Sequence, residues 1–576
     1  MAPDVSTAPS IDTPPAPPSG GGWGLPLAVL IAGMFMSVLD ISIVNVAILT
    51  MQNDFGVTTD EIQWVATSYE LALGVVVPVS GWLADKFGPT RVYNISLAGF
   101  ATFSALCGLA WNLESMIAFR VLQAIPGGIL PVVTLTILYK IVPRGKIGSA
   151  MGMYGLGIVV APAIGPTLGG YLVEYVDWRL IFFINVPVGI LGVVAALMVL
   201  PAYRGARAGR FDVLGFLTIA TGLFSLLLAL TEGQDWGWTS YPTLILLTVG
   251  VLSMALFVVV ELEVDEPLLD VRVFRHWAFT NSLLLVAVLS IGLFTVLFYV
   301  PLFFQQAQGL GAFETGLLLL PQALVMAVAM PIAGQLYDRI GPRWPAAIGL
   351  LVTAVGTYLL CTTTVDSSNS SVMWLLTLRA AGMGLCMMPI MTGGLSVVPP
   401  SQVSQASAFN NVVQRTTAAL GLAVLTAMVT NQQAQQIGDR TALIPAGAPM
   451  PQLGGGDDGG MSGLLAVYQQ TQTHVFVSAI NDMYIVTAIV TAAGVGLALM
   501  LHHGPPQAVP EEVAPAAVIQ EAEPAAEPGR AREREAAMVG VHVNGSGGNG
   551  VGGNGSGGNG SGRNAAGERD TSAVRG

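Results

Sequence analysis

The sequence predicts an all-α polytopic membrane protein, and three observations carry that prediction. Charged residues make up only 10% of the chain and hydrophobic ones 53%, with a mean hydropathy of +0.66. Soluble domains carry about 25% charged residues. Fourteen apolar stretches recur along the chain, each close to the roughly 20 residues a helix needs to cross a bilayer. Basic residues gather in every second connection between those stretches.

In chain order, residues 1–24 are rich in Pro, Ser and Gly and read as a disordered tail. The spans follow at about 25–49, 64–83, 92–110, 116–137, 149–172, 181–200, 212–230, 243–261, 279–304, 315–336, 345–363, 373–396, 406–429 and 479–501. Trp64, Trp111, Trp178, Trp236 and Trp238 mark span ends, as interfacial aromatics do. With a cytoplasmic N-terminus, inner connections hold twelve basic residues: Lys86, Arg91, Lys140, Arg144, Lys146, Arg204, Arg207, Arg210, Arg272, Arg275, Arg339 and Arg343. Outer connections hold Arg179 and Arg440 only, a strong positive-inside bias. An even number of spans returns the C-terminus to the same side, so both termini are expected in the cytoplasm and the protein in the cytoplasmic (inner or plasma) membrane. A Gln- and Gly-rich outer loop is expected over 430–478, long enough to shield an external mouth. Residues 504–576 run from a Glu-rich stretch into NGSGGNG repeats and read as a disordered cytoplasmic appendage.

Several classes drop out. The net charge of −12 does not advertise a nucleic-acid partner. Cys107, Cys361 and Cys386 lie inside apolar spans at no metal-like spacing and read as packing residues, so neither a disulfide nor a metal site is expected. No G-x-x-x-x-G-K-[ST] loop is present, which leaves an ATP-driven pump unsupported. The five histidines are scattered over loops and span ends, and no Ser/His/Asp set stands out. The chain is expected not to be an enzyme and to need no cofactor. Its partners are expected to be the lipid bilayer and a small-molecule cargo, with an outer-envelope or adaptor partner left open. A non-transporting receptor or scaffold built on the C-terminal tail is the alternative from another class.

The chemistry centres on Asp40, the only charged residue between Leu25 and Leu49. A carboxylate in mid-span costs roughly 2.5–3.5 kcal/mol on insertion scales, so it must face protein or water. Desolvation favours the neutral form of an acid, which makes such a group a candidate proton carrier. Gly33, Ser37, Asp40 and Val44 share one helix face. The plainer alternative is a structural acid tied to a backbone or Arg partner. Counted from the span ends, Asp40, Glu70 and Arg120 lie roughly 13, 9 and 6 Å deep at 1.5 Å per residue, so two acids and a guanidinium are expected in one network in the outer half.

Two inner loops repeat. Gly81-Trp-Leu-Ala-Asp85-Lys86-Phe-Gly88-Pro89-Thr-Arg91 follows the second span, and Gly334-Gln-Leu-Tyr-Asp338-Arg339-Ile-Gly341-Pro342-Arg343 follows the tenth. Such a repeat predicts two parallel six-helix halves, 25–200 and 279–503, with a linker at 201–278 that carries two extra spans. The loop's acid can pair with its basic neighbour or with helix ends from the other half.

This loop resembles motif A of the major facilitator superfamily. Arg120-Val-Leu-Gln123-Ala124-Ile-Pro126-Gly127 is similar to that family's fourth-span signature, with Ala124 and Pro126 in place of glycines. Gly157-Ile-Val-Val-Ala161-Pro162-Ala-Ile-Gly165-Pro166-Thr-Leu-Gly169-Gly170 resembles the antiporter motif of its drug exporters. Trp178-Arg179 with Asn185-Val-Pro-Val-Gly189, and Leu39-Asp40 with Val44-Asn45-Val46-Ala47, look like the fourteen-span drug:proton antiporters of the EmrB/QacA type. The resemblance implies two six-helix bundles with pseudo-twofold symmetry plus an inserted helix pair. It also implies export of drugs or lipophilic, often cationic, amphiphiles in exchange for protons, with the proton gradient as the energy source. An endogenous lipid, siderophore or metabolite is the alternative cargo. Proton coupling falls on Asp40, Glu70 and Arg120. Cargo contacts fall on Asp40, Glu70, Tyr69, Gln123 and Phe298. Motif A gating falls on Gly81, Asp85, Lys86, Gly88, Arg91, Gly334, Asp338 and Arg339. A hinge and seal fall on Gly157, Pro162, Gly165, Pro166, Gly169 and Gly170. The later spans lack a counterpart of Asp40 but carry Arg379, Gln414 and Arg415.

Overall fold

The structure, a computed structural model, describes residues 22–203, 205, 210–399, 402–442 and 459–502. The tails expected at 1–24 and 504–576 lie almost wholly outside the described residues, as do Arg204 and Arg207.

Each expected span is one helix. They are α1 (Gly24–Phe55), α2 (Thr59–Phe87), α3 (Pro89–Gly108), α4 (Leu113–Ile141), α5 (Ile147–Tyr175), α6 (Leu180–Val199), α7 (Val213–Trp236) and α8 (Tyr241–Glu263). After them come α9 (Trp277–Leu302), α10 (Ala312–Ile340), α11 (Arg343–Leu360), α12 (Asn369–Leu395), α13 (Val403–Ala442) and α14 (Gly459–Leu499). Thirteen of these are long and apolar enough to cross a membrane, and α3, with its Thr, Tyr, Asn and Ser, is the more polar fourteenth. Local signals set the ends. Thr58 and Glu61 form a reciprocal cap on α2, and Asn112 with Ser115 does the same on α4. Asp212, Ser240 and Ser368 cap α7, α8 and α12. In both motif A loops the chain leaves its helix through a glycine at positive φ, Gly88 at 87° and Gly341 at 83°. A proline follows each, so the loop that repeats in sequence repeats in backbone conformation as well.

The 430–478 segment corrects one expectation. α13 runs on to Ala442 and α14 begins at Gly459, so most of the supposed loop is helix and only 443–458 lies outside the described residues. The Gln- and Ala-rich sequence is too polar to read as a span, yet Ala and Gln are good helix formers. Greater helix length also shifts depths. Asp40 lies roughly 22 Å from the Phe55 end of α1, and Glu70 roughly 16 Å from the Thr59 end of α2. Arg120 lies roughly 10 Å from the Leu113 end of α4.

Helices α1–α6 pack largely on one another, and so do α9–α14. The two groups meet along two seams related by the repeat, α5 against α10 and α2 against α13. The inserted helices pair with each other, and α7 leans on both α2 and α13. Leu227 and Leu228 of α7 pack there with Leu71, Trp64 and Ala419, and Gln234 donates to Thr430 Oγ1 at 3.3 Å. The pair thus fills a groove beside the seam. Much of α8 keeps Leu and Val outward, including Leu244, Val251, Leu252, Leu256 and Val259.

Candidate functional site

Asp40 is wholly buried, at 0% exposure, and each of its oxygens is occupied. Oδ2 accepts from Arg120 Nη1 at 2.5 Å. Oδ1 accepts from Gln123 Nε2 and from Asn185 Nδ2, both at 3.0 Å. Arg120 Nη1 also donates to Gln123 Oε1 at 2.8 Å, and Nε donates to the Val65 carbonyl at 3.3 Å. The guanidinium lies over the Tyr69 ring, 3.8 Å from its centroid. Asn185 reaches on to Ser104 Oγ at 3.1 Å, which donates to the Phe182 carbonyl at 2.9 Å. Helices α1, α2, α3, α4 and α6 thus converge on one charge pair. Removing one member of such a pair costs about 3–5 kcal/mol, because the other charge stays buried and uncompensated. The structure therefore joins Asp40, Arg120, Gln123 and Tyr69.

Glu70 is not in this network. It is exposed on α2, and its electrostatic neighbours are Arg415 of α13 and, beyond Tyr69, Arg120. Gln123, expected to touch cargo, is fully buried against Asp40. Phe298 is 46% exposed and stands edge-on to Tyr299 with ring centroids 5.2 Å apart. Asn185 and Ser104 were not singled out as network members from the sequence. Asn185 stands in the family-like stretch of the sixth span without a role of its own, and Ser104 is one of several polar side chains in α3.

The second half has its own buried guanidinium, Arg379, at 3% exposure. Its Nε donates to Thr357 Oγ1 at 3.1 Å and its Nη2 to the Gly292 carbonyl at 2.5 Å. Where α1 offers a carboxylate, α9 offers only a peptide oxygen. Among the described residues, Arg379 has no carboxylate in ion-pair range.

Both motif A acids reach across the seams to the start of a helix from the other group. Asp338 accepts from the backbone N–H of Gly148 at 2.8 Å and of Ser149 at 2.9 Å, and from Ser149 Oγ at 2.6 Å. These donors belong to the first turn of α5, where unpaired N–H groups and the helix dipole favour an anion. Asp85 accepts from Ser404 Oγ at 2.8 Å on each oxygen, in the first turn of α13. Close approach makes this possible: Gly334 lies against the Gly148 backbone, and Gly81 lies beside Ser404 and Gln405. Of the two pairings open to these acids, the helix ends hold them. Lys86, Arg91 and Arg339 point to solvent, and Lys86 lies 4.3 Å from the Trp82 ring centroid.

Helix α5 runs unbroken through Pro162 and Pro166. Its glycines form two contact faces. A Cβ at Gly157 would sit 2.8 Å from Ile31 Cγ2, one at Gly169 2.8 Å from Ile43 Cγ1, and one at Gly165 would overlap Ser42 Oγ. All three touch α1, the helix of Asp40. Gly148, Gly152 and Gly155 instead meet α10 and α12, while Gly170 faces open space. Replacing Gly165 by Leu is expected to push α1 and α5 apart, at a cost of at least about 1–3 kcal/mol for overpacking. We expect cargo transport to fall at least tenfold while the protein still inserts, as read by vesicle flux beside size-exclusion of the purified protein. Wild-type flux in that variant would show that this contact does not matter.

Comparison with known proteins agrees with the architecture. The Major Facilitator Superfamily profile matches residues 30–422. An MFS-type transporter of Bacillus subtilis, YhcA, is 36% identical over 72% of this chain and 79% of its own. The tetracenomycin C resistance and export protein of Streptomyces glaucescens is 32% identical over 77% of this chain and 81% of its own. A multidrug resistance protein B homolog of Mycobacterium tuberculosis is 32% identical over 70% and 76%. Among solved structures, the proton:xylose symporter XylE superposes with a TM-score of 0.53 at 12% identity, covering 81% of this chain and 94% of that one. That likeness concerns the fold alone. Two related groups of six helices and an inserted pair among the described residues, two repeated loops and a profile match across most of the chain lead to one conclusion: this multi-pass membrane protein belongs to the Major Facilitator Superfamily of transporters, among relatives that include named multidrug resistance and export proteins.

Proposed function

We propose that the protein exports drug-like amphiphiles across the cytoplasmic membrane in exchange for protons, by alternating access of a mid-membrane site. The observation that carries this reading is the Asp40–Arg120 pair, a carboxylate and a guanidinium buried in an apolar bundle and held by Gln123 and Asn185. A charge pair of this kind contributes little net stability compared with apolar residues of the same size. Its value lies in being switchable. Protonation of Asp40 removes the charge that holds Arg120, and the helices that share the network are then free to repack. Helix α1 transmits that change, because its Asp40 face meets α4 and α6 while its other side meets the glycines of α5, which in turn packs on α10 of the second half.

The two motif A contacts fit the same cycle. With Asp338 on α5 and Asp85 on α13, the end of the molecule bearing Lys86, Arg91, Arg339 and Arg343 is shut. By the positive-inside rule that end is cytoplasmic, and so are both termini. Inward opening requires both acids to let go. The export role draws on relatives whose names record resistance and export. The proton gradient is the energy source, and no cofactor takes part.

The test is reconstitution in liposomes with an entrapped pH dye, an imposed pH gradient and a panel of fluorescent amphiphiles. We expect at least one compound to move against protons, with vesicle pH changing only when that compound is added. Absence of cargo-dependent proton movement across the whole panel would refute antiport.

A further inference from the structure

Arg415 lies in the middle of α13, roughly 18 Å from its Val403 end, on a helix that forms one seam between the two halves. Its Nε is buried and has no hydrogen-bond partner, and the guanidinium makes no ion pair among the described residues. The charged group that faces it is Glu70 on α2, across the seam, with the Tyr69 side chain beside it. Glu70 is itself exposed and not in ion-pair contact with any described cation. Next to Arg415 in sequence, Gln414 lines a small pocket with Val286, Leu289, Met383 and Met387, an adaptable apolar wall.

Among the described residues, the other buried guanidinium groups near mid-helix, Arg120 and Arg379, already have partners. Asp40 and Arg120 neutralise each other within the first half. Arg379 spends its donors on Thr357 and Gly292 and is 3% exposed. What cargo meets at the seam is therefore one negative group, Glu70, on one half and one positive group, Arg415, on the other. Ionisable groups at this depth are functional sites by default. A guanidinium has a planar fork of donors suited to an acidic oxygen, and one with an unpartnered buried donor, as Arg415 has at Nε, can bind such an oxygen strongly.

We infer that Arg415 is an anion subsite for cargo, and that the preferred cargo is an amphiphile bearing an ionised acid group, with any basic group it carries placed near Glu70. This inference rests on the export of amphiphiles proposed above and narrows their chemical class. It departs from the monovalent cations and neutral amphiphiles that the absence of an acid from the apolar spans 315–336 and 406–429 suggests, because a purely cationic molecule meets repulsion from Arg415.

Binding to the full-length protein in nanodiscs, with no gradient, separates this inference from proton coupling. The probes are rhodamine B, which carries a cation and a carboxylate, and its methyl ester, which keeps the cation alone. We expect the wild type to bind the acid about tenfold tighter than the ester, the size of one charge-assisted hydrogen-bonded pair. Arg415→Gln is expected to erase that preference while ester binding stays, and Arg415→Lys to leave part of it. Glu70→Gln is expected to weaken both probes alike. A wild type that shows no preference, or binds neither probe, overturns the inference, as does a preference that survives Arg415→Gln. Should Arg415→Gln bind neither probe, Arg415→Lys decides: a reduced but present preference supports the subsite, and an unchanged or absent one overturns it. Failure of antiport in liposomes alongside a clear Arg415-dependent preference would sink the coupling and leave the subsite standing.

Discussion

Asp40→Asn is expected to lower pH-gradient-driven transport by roughly 100-fold or more, with the protein still folded and inserted. The reasoning starts from size: Asn matches Asp in shape, so α1 still fits against α4 and α6. The side-chain oxygen can still accept from Gln123 or Asn185, which hold Asp40 at 3.0 Å in the native protein. What is lost is the charge facing Arg120. A buried guanidinium without its counter-charge costs about 3–5 kcal/mol, equivalent to at least a hundredfold shift in any equilibrium that depends on the pair. Proton uptake at this position is lost as well, since an amide does not titrate. A second variant separates the structural role from the coupling role. Replacing both members, Asp40→Leu with Arg120→Met, removes the charges together, and apolar replacements of a buried pair are often neutral or stabilising. We expect that double variant to unfold no more readily than the wild type and to move no protons with cargo. The measurements are thermal unfolding of purified protein and dye-reported proton flux in vesicles. Retained coupling in the double variant would mean that the pair is structural only, the plainer reading open to the sequence.

Much of this arrangement is legible in the sequence, for identifiable reasons. A charge in a membrane span must find protein or water, so Asp40, Arg120 and Arg379 announce that they are buried. The repeated G-x-x-x-D loop marks two equivalent corners, and both leave their helix through a glycine at positive φ. Hydropathy locates the spans because the bilayer sets their length. It cannot follow helices past the bilayer, so it ends α13 and α14 where polar Gln and Gly begin, short of the bounds the structure gives them. Depth counted from apolar ends placed Glu70 beside Asp40 and Arg120. Rotation about the helix axis decides otherwise: Tyr69 turns into the network, and Glu70, one residue on, turns away from it toward Arg415. Asn185 was visible only as part of a family-like stretch, since one amide in an apolar run does not say which of several helices it will meet. Ser404 and Ser149 were illegible as partners of Asp85 and Asp338, because their pairing depends on how the two halves dock.

Asp338→Asn is expected to open the basic end of the molecule in a large fraction of the population. Asp338 takes three donors from the first turn of α5, two of them backbone N–H groups that lose their partner when the halves separate. Hydrogen bonds to a charged group are worth about 1.5–3 kcal/mol each when buried. Asp338 is half-buried, and Asn keeps one acceptor, so a net loss of about 2 kcal/mol is reasonable, equivalent to roughly a thirtyfold shift toward the open state. Asp85→Asn is expected to do less. Its only hydrogen-bond partner among the described residues is the Ser404 hydroxyl, which water replaces well on opening, so about 1 kcal/mol is the scale. The two contacts lie on opposite seams, share no partner and act on the same opening equilibrium, so their effects should add in the double variant. Labels at Lys146→Cys and Arg339→Cys, both exposed and on opposite sides of the α5–α10 seam, report opening as a distance once the three native cysteines are replaced. A larger long-distance population in Asp338→Asn than in Asp85→Asn, and a larger one still in the double variant, would place motif A as a pair of unequal latches. An unchanged distance in Asp338→Asn would mean that the glycine contact between Gly148 and Gly334 holds that seam without the acid.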